Sequence, residues 1–275
     1  MEYLERNGLR LAYDRSRGLG EPVALVHGGW DDQASWGRVA AGLALGLRVL
    51  SYDRRDHGES TGPPRSRPVR DDASDLAALL EATELYPAHL VAEGYGGAAA
   101  LRLAVDRPEL VRSVCLHEVP FLGLLGPDEP TGMGASPAAR LREVCRLAAG
   151  GSGEAAARAY LALFGSPEEQ WTELDPASQR GLAAGARAWA REMDDPEATR
   201  PAAEELRGID IPVLATVGEA SPEFARRVHE GLLATLPNGQ AMTLPQVGHF
   251  VHRTDPDLFV GVLGTFLLER NVPST

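Results

Sequence analysis

Short apolar runs recur along the chain at 23–26, 48–52, 89–92, 111–116, 211–217 and 241–244, each bounded by polar, Gly or Pro residues. Runs of this length read as strands buried on both faces. Between them lie stretches with apolar residues every three or four positions. In 69–83 these are Ala73, Leu76, Leu79 and Leu80, the stripe of an amphipathic helix. Helices are also expected over 31–45, with Trp36 and Val39 inward, over an Ala-rich segment ending near Arg107-Pro108, over 222–236 and over 255–269. Residues 1–14 read as a hairpin turned at Asn7-Gly8, a dipeptide suited to the left-handed turn that joins two strands. Strands alternating with helices imply an α/β fold with a mostly parallel, doubly wound sheet. The segment 121–207 breaks the alternation: a Gly/Pro-rich linker at 121–136 precedes Ala/Glu/Arg-rich helical stretches without a strand signal. The expected organisation is a core of 1–120 and 208–275, with 121–207 inserted as a helical cap over the C-terminal edge of the sheet, where open α/β folds bind ligands.

Composition narrows the partners. The chain has 275 residues, a formal net charge of −12 and a pI near 5.1, which disfavours nucleic acid and anionic membrane surfaces. A small-molecule substrate is expected, with the chain a monomer or homodimer. The N-terminus shows no basic region followed by an apolar one, and no apolar run approaches the ~20 residues of a membrane span. The two cysteines, Cys115 and Cys145, suggest no disulfide framework, so a cytoplasmic location is expected. No Cys/His/Asp group has metal-ligand spacing and no G-x-G-x-x-G follows a strand, so neither a metal nor a nucleotide cofactor is expected.

The candidate chemistry sits where strands end. Residues 89–100 read as a strand, a Gly-rich turn and the start of a helix. Such a turn lifts a side chain above a sheet and is usually written G-x-S-x-G. Here the five positions are Ala92-Glu93-Gly94-Tyr95-Gly96. Before it come His27-Gly28-Gly29-Trp30 after one strand and Asp53-Arg54-Arg55-Asp56-His57-Gly58-Glu59-Ser60 after the next. After it come His117-Glu118, Gly218-Glu219-Ala220-Ser221 and Gly248-His249-Phe250. Taken in this order and spacing, the motifs resemble those of the α/β-hydrolase superfamily, and the resemblance covers essentially the whole chain.

The resemblance implies roles and also marks departures. His249 matches the general base, with His252 a weaker candidate. The orienting acid would usually stand at Ser221, which is not an acid; some members place it one strand earlier, where this chain has Glu118, and Glu219 is the runner-up. The backbone N–H groups of Gly29 and Tyr95 match the oxyanion hole. Gly94 holds the place of the nucleophilic serine and cannot be a nucleophile. Glu93 beside it, and Asp56 where the family pattern has glycine, are possible acid/base or pocket groups, although Glu93 could instead pair with Arg54 or Arg55. Trp30 is a candidate pocket-floor or core residue. Phe164, Trp171, Trp189 and Met193 of the cap segment face either the sheet domain or an apolar substrate.

These residues lead to an enzyme that keeps His249, Glu118 and the oxyanion hole but forms no covalent serine intermediate. It would act on an apolar or aromatic carbonyl small molecule, such as one of secondary metabolism. The chemistry would be cyclisation, elimination, isomerisation, decarboxylation or direct attack by water. A non-catalytic small-molecule binding protein and an ester or amide hydrolase inactivated at Gly94 are the alternatives.

Overall fold

The computed structural model describes residues 1–62, 68–125, 137–165 and 171–269. Parts of the loop expected at 61–68 and most of the linker expected at 121–136 lie outside them. The eight strands are β1 (Glu2–Arg6), β2 (Leu9–Arg15), β3 (Pro22–Val26), β4 (Arg48–Tyr52), β5 (Ala88–Glu93), β6 (Val111–His117), β7 (Val213–Gly218) and β8 (Gly239–Leu244). They form one sheet in the order β1-β2-β4-β3-β5-β6-β7-β8. The hairpin pairs antiparallel, β2 meets β4 antiparallel, and the remaining neighbours are parallel. Asn7 and Gly8 at the hairpin turn have φ of 49° and 77°.

Alternation along each central strand explains why the runs are apolar throughout. Ala24, Val26, Leu90, Ala92, Val114 and Leu116 face one hydrophobic layer; Val23, Leu25, Val91 and Cys115 face the other. The first layer is covered by α2 (Val69–Thr83), α3 (Tyr95–Asp106) and Val228 and Leu232 of the helix Glu223–Leu233. The second is covered by α1 (Gly37–Leu43) and the C-terminal helix Pro256–Glu269. The helix expected over 31–45 is shorter. The Asp32 carboxylate accepts from the Ala34 N–H and starts a 3₁₀ turn at Gln33–Trp36, and α1 follows from Gly37. Trp36 and Val39 are inward as expected.

Among the described residues no strand interrupts the chain between β6 and β7. Helices α4 (Pro137–Ala149), α5 (Gly153–Leu161) and α6 (Pro176–Met193) pack on one another around Val144, Ala156, Tyr160 and Trp189, a cluster that also takes in Trp30. Ala198 and Leu206, further along, belong instead to the main sheet layer. No helix among the described residues is long and apolar enough to cross a membrane. The chain leaves β3 for β4 on one side and returns to β5 on the other. The gap this reversal opens beyond the strand ends is where such sheets hold ligands, and Gly28, Gly94 and Glu118 all lie at that edge.

Candidate active site

Glu93 is the last residue of β5 and Tyr95 the first of α3, so Gly94 alone makes the turn between them. Its φ of 53° and ψ of −127° suit glycine, which carries no Cβ to clash there. A Cβ added at Gly94 would meet only the Gly28 Cα at 3.7 Å and the His249 Cε1 at 4.0 Å. Gly28 is different. The Glu93 Oε2 comes within 2.0 Å of where a Gly28 Cβ would stand, so the bare backbone at Gly28 makes room for the Glu93 side chain.

His249, in the loop after β8, meets a carboxylate on each side. Its Nδ1 is 3.0 Å from Glu118 Oε2, and its Nε2 is 2.9 Å from Glu93 Oε1. The Tyr160 hydroxyl, on α5, stands 3.1 Å from the same Nε2. Phe164 stacks on the imidazole at 3.9 Å between ring centres. His249 is 4% exposed and Glu93 3%. Burial alone would lower the imidazole pKa, but attraction to Glu93 and hydrogen bonds to Glu118 and Glu93 outweigh it and lift it to about 10. At neutral pH the ring is therefore an imidazolium held between two carboxylates. Burial pushes the Glu118 carboxyl up, and the neighbouring His117 and His249 together with the Gly218 N–H outweigh that, holding it at about 2. Glu118 Oε1 accepts from the Gly218 N–H at 3.0 Å and from the Ser221 hydroxyl. Glu118 holds this position with a φ of 48°, a sparsely populated conformation for a residue with a side chain.

The structure thus brings His249, Glu118, Glu93 and Gly94 together; His249, Glu118 and Gly94 border one cavity with Gly29 and Tyr95, and Glu93 joins them through its contact with His249. Ser221, in the slot where an acid was expected, orients Glu118 instead. Glu219 instead accepts from the Gln246 N–H at 2.9 Å. Glu93 pairs with neither arginine: Arg54 is taken by Glu192 and Asp72, and Arg55 by Asp71 and Asp75. Asp56 lies elsewhere. It has the left-handed φ of 59° that glycine would hold, sits 3.7 Å from Arg191 of α6 and borders an outer cleft with His57 and Arg253. Trp30 also borders that cleft and stacks on the back of Tyr160 at 4.9 Å. His252 pairs with Asp31 at 2.9 Å.

Phe164, Trp189 and Met193 line the inner cavity with Leu141 and Phe224. Trp171 lies under the Arg158 guanidinium, 5.0 Å from its ring centre. The cavity measures about 50 Å³, room for a few waters at ~10–15 Å³ each. Tyr160 was not legible in the sequence, because nothing local tells which face of an Ala-rich helix meets the sheet edge. Asp31, Glu93 and His252 likewise come together only in the fold, their donor atoms within 4.8 Å of one another. A metal has no clear claim on them: Arg253 already pairs Asp31 and His249 already pairs Glu93.

A family profile described as the alpha/beta hydrolase family matches residues 23–262. The chain belongs to this family. Its sequence is 25% identical over 255 residues to the sn-1-specific diacylglycerol lipase ABHD11 of Mus musculus, covering 89% of this chain and 80% of that protein. It is 31% identical over 115 residues to the dihydrolipoyllysine-residue acetyltransferase component of the acetoin cleaving system of Cupriavidus necator, covering 42% of this chain. That match spans only 31% of the Cupriavidus protein's length. An alpha/beta hydrolase from Sphaerobacter thermophilus superposes with a TM-score of 0.80 at 24% identity, over 97% of this chain and all of that one. The likeness in structure extends to the fold.

Proposed function

We propose that this family member is an enzyme that moves a proton on a small, apolar carbonyl compound without a covalent serine intermediate. The carrying observation is the 2.9 Å contact between Glu93 Oε1 and His249 Nε2, at a turn where Gly94 offers no side chain. In a serine triad the same ring nitrogen faces the nucleophile's hydroxyl and takes its proton. Here a carboxylate stands at that nitrogen and the ring is charged. Glu93 is then the base and His249 the cation that holds it, with Glu118 fixing the ring from behind. An enolisable ketone would lose its α-proton to the Glu93 carboxylate while the C–H electron pair forms the C=C bond of the enolate and the carbonyl π pair moves to the oxygen. The N–H groups of Gly29 and Tyr95, at the cavity edge, would meet that oxygen. This shifts the base from His249, as first expected, to the Glu93–His249 pair. The apolar lining supports an apolar substrate body, and similarity to a diacylglycerol lipase supports a carbonyl target. In the same reading α4, α5 and α6 serve as the cap. Because the free volume is small, an aromatic substrate requires these helices to shift.

The test is turnover of aryl esters, lactones and enolisable ketones by the native chain, Glu93→Gln and His249→Ala. Products and α-deuterium exchange are followed by mass spectrometry, with a search for protein adducts. Conversion by the native chain, loss in both variants and no adduct supports the proposal. A covalent adduct, or full activity in Glu93→Gln, overturns it. If the native chain converts nothing but binds apolar ligands, the pocket is a receptor.

A further inference from the structure

Counting hydrogens around His249 leaves one donor over. An ionised carboxylate only accepts hydrogen bonds. With Glu118 at Nδ1 and Glu93 at Nε2, both ring nitrogens carry hydrogen. The Tyr160 oxygen, 3.1 Å from Nε2, therefore accepts from the ring and does not donate to it. No other hydrogen-bond partner of the Tyr160 hydroxyl occurs among the described residues. Its own hydrogen is left over, on a side chain only 9% exposed. Tyr160 borders the inner cavity together with Gly29, Gly94 and Tyr95. The ring is also well anchored: Trp30 stacks on it at 4.9 Å, and Phe164 and Trp189 meet it edge-on at 5.3 and 5.5 Å.

We propose that Tyr160 is a catalytic residue that donates its phenolic hydrogen bond to the substrate's carbonyl oxygen. It would act from the α5 side of the cavity, opposite the backbone donors of Gly29 and Tyr95. The ligand class that follows is a neutral carbonyl compound with an apolar body, since an alkane of the same shape leaves the donor unmet. Burial, reinforced by Glu93 and Asp31, keeps the phenol protonated by raising its pKa well above the ordinary value. The hydroxyl therefore supplies a hydrogen bond to the developing oxyanion and keeps its proton. This inference rests on the proposed use of the cavity as the substrate site, and not on which group is the base.

The experiment compares acetophenone with ethylbenzene, which match in shape and differ in the carbonyl. Affinities are measured by tryptophan fluorescence for the native chain and for Tyr160→Phe. The carbonyl stretch of ¹³C-labelled acetophenone is read by difference infrared spectroscopy. The native chain should prefer the ketone by up to about tenfold, the range of one hydrogen bond. Its bound carbonyl stretch should fall below the value in hexane. Tyr160→Phe should erase the preference, keep the ethylbenzene affinity and move the stretch back up. Equal affinities in the native chain, an unshifted native stretch or no binding of either ligand overturns the proposal, and the native measurements need no variant to fold. A chain that binds the ketone through Tyr160 but never exchanges its α-deuterium refutes the proton-transfer reading alone.

Discussion

Glu93 and Glu118 approach His249 from opposite sides of its ring, at 2.9 Å and 3.0 Å. Two carboxylates sharing one buried imidazole lock its charge. They also occupy both of its ring nitrogens, so the ring is not available as a free base.

The locked charge should be visible directly. The His249 ring signals in NMR should keep imidazolium shifts from pH 6 to pH 9, since its pKa is lifted to about 10. The folded value lies above the ordinary one of about 6.5. The group's contribution to stability is therefore complete below about pH 6.5 and drains away as pH rises toward 10. Titration of this ring near neutrality would contradict the pairing.

Glu93→Gln removes one anion while keeping the shape. The His249 pKa should fall toward its ordinary value. Activity on an enolisable ketone should drop by about 10²–10⁴-fold, the usual weight of a positioned base. A variant that loses activity while His249 keeps its pKa would place the effect elsewhere than in this pair.

Gly94→Ser alone should not create an efficient serine hydrolase. The site has room for the Cβ, 4.0 Å from His249 Cε1, but Nε2 is already engaged by Glu93 and Tyr160. Labelling by a sulfonyl fluoride, read by intact mass, should be slow in the single variant. It should rise at least about tenfold when Glu93→Ala frees the nitrogen and lowers the ring's pKa. Rapid labelling of the single variant would show that Glu93 does not hold the ring.

Arg54→Met should destabilise the chain by about 3–5 kcal/mol, because it strands buried anions. Arg54 is fully buried and lies 2.8 Å from Glu192 and 3.4 Å from Asp72, both of which are also buried. It also donates to the His27 and Gly28 carbonyls that shape the loop before Gly29. Urea midpoints at constant slope measure the loss.

The sheet was legible because each central strand buries both faces, so its pattern does not depend on distant partners. Glu118 could be picked out only through the family resemblance, which offers the preceding strand end as a second place for the acid and left Glu219 open beside it; the structure sets Glu118 against His249. The partner of Glu93 was not legible. Arg54 and Arg55 stand nearby in the motifs, but Asp72, Asp75 and Glu192 claim them, and two of those lie on α2 and one on α6. Tyr160 was hidden for a related reason. The register of a helix against a sheet from which it is separated in sequence is set by packing, and an Ala-rich face gives that packing no local mark. Asp56 borders a different cleft from His249, because a departure from a motif shows where a backbone turn is tolerated and not which cavity the side chain enters.

Glu192 carries a mechanical consequence for the wall above the cavity. It extends from α6 into a place with no solvent, where Arg54 and His57 hold it at 2.8 and 3.4 Å. Lifting that end of α6 would pull a naked charge out of its socket, so α6 behaves as the doorpost. The α4–α5 side bears no comparable peg among the described residues, and it carries Tyr160 and Leu141 on the cavity face. The phenol on α5 reaches His249 at 3.1 Å, so these helices are moored to the sheet domain in two different ways, α6 by a buried ion pair and α5 by a single hydroxyl.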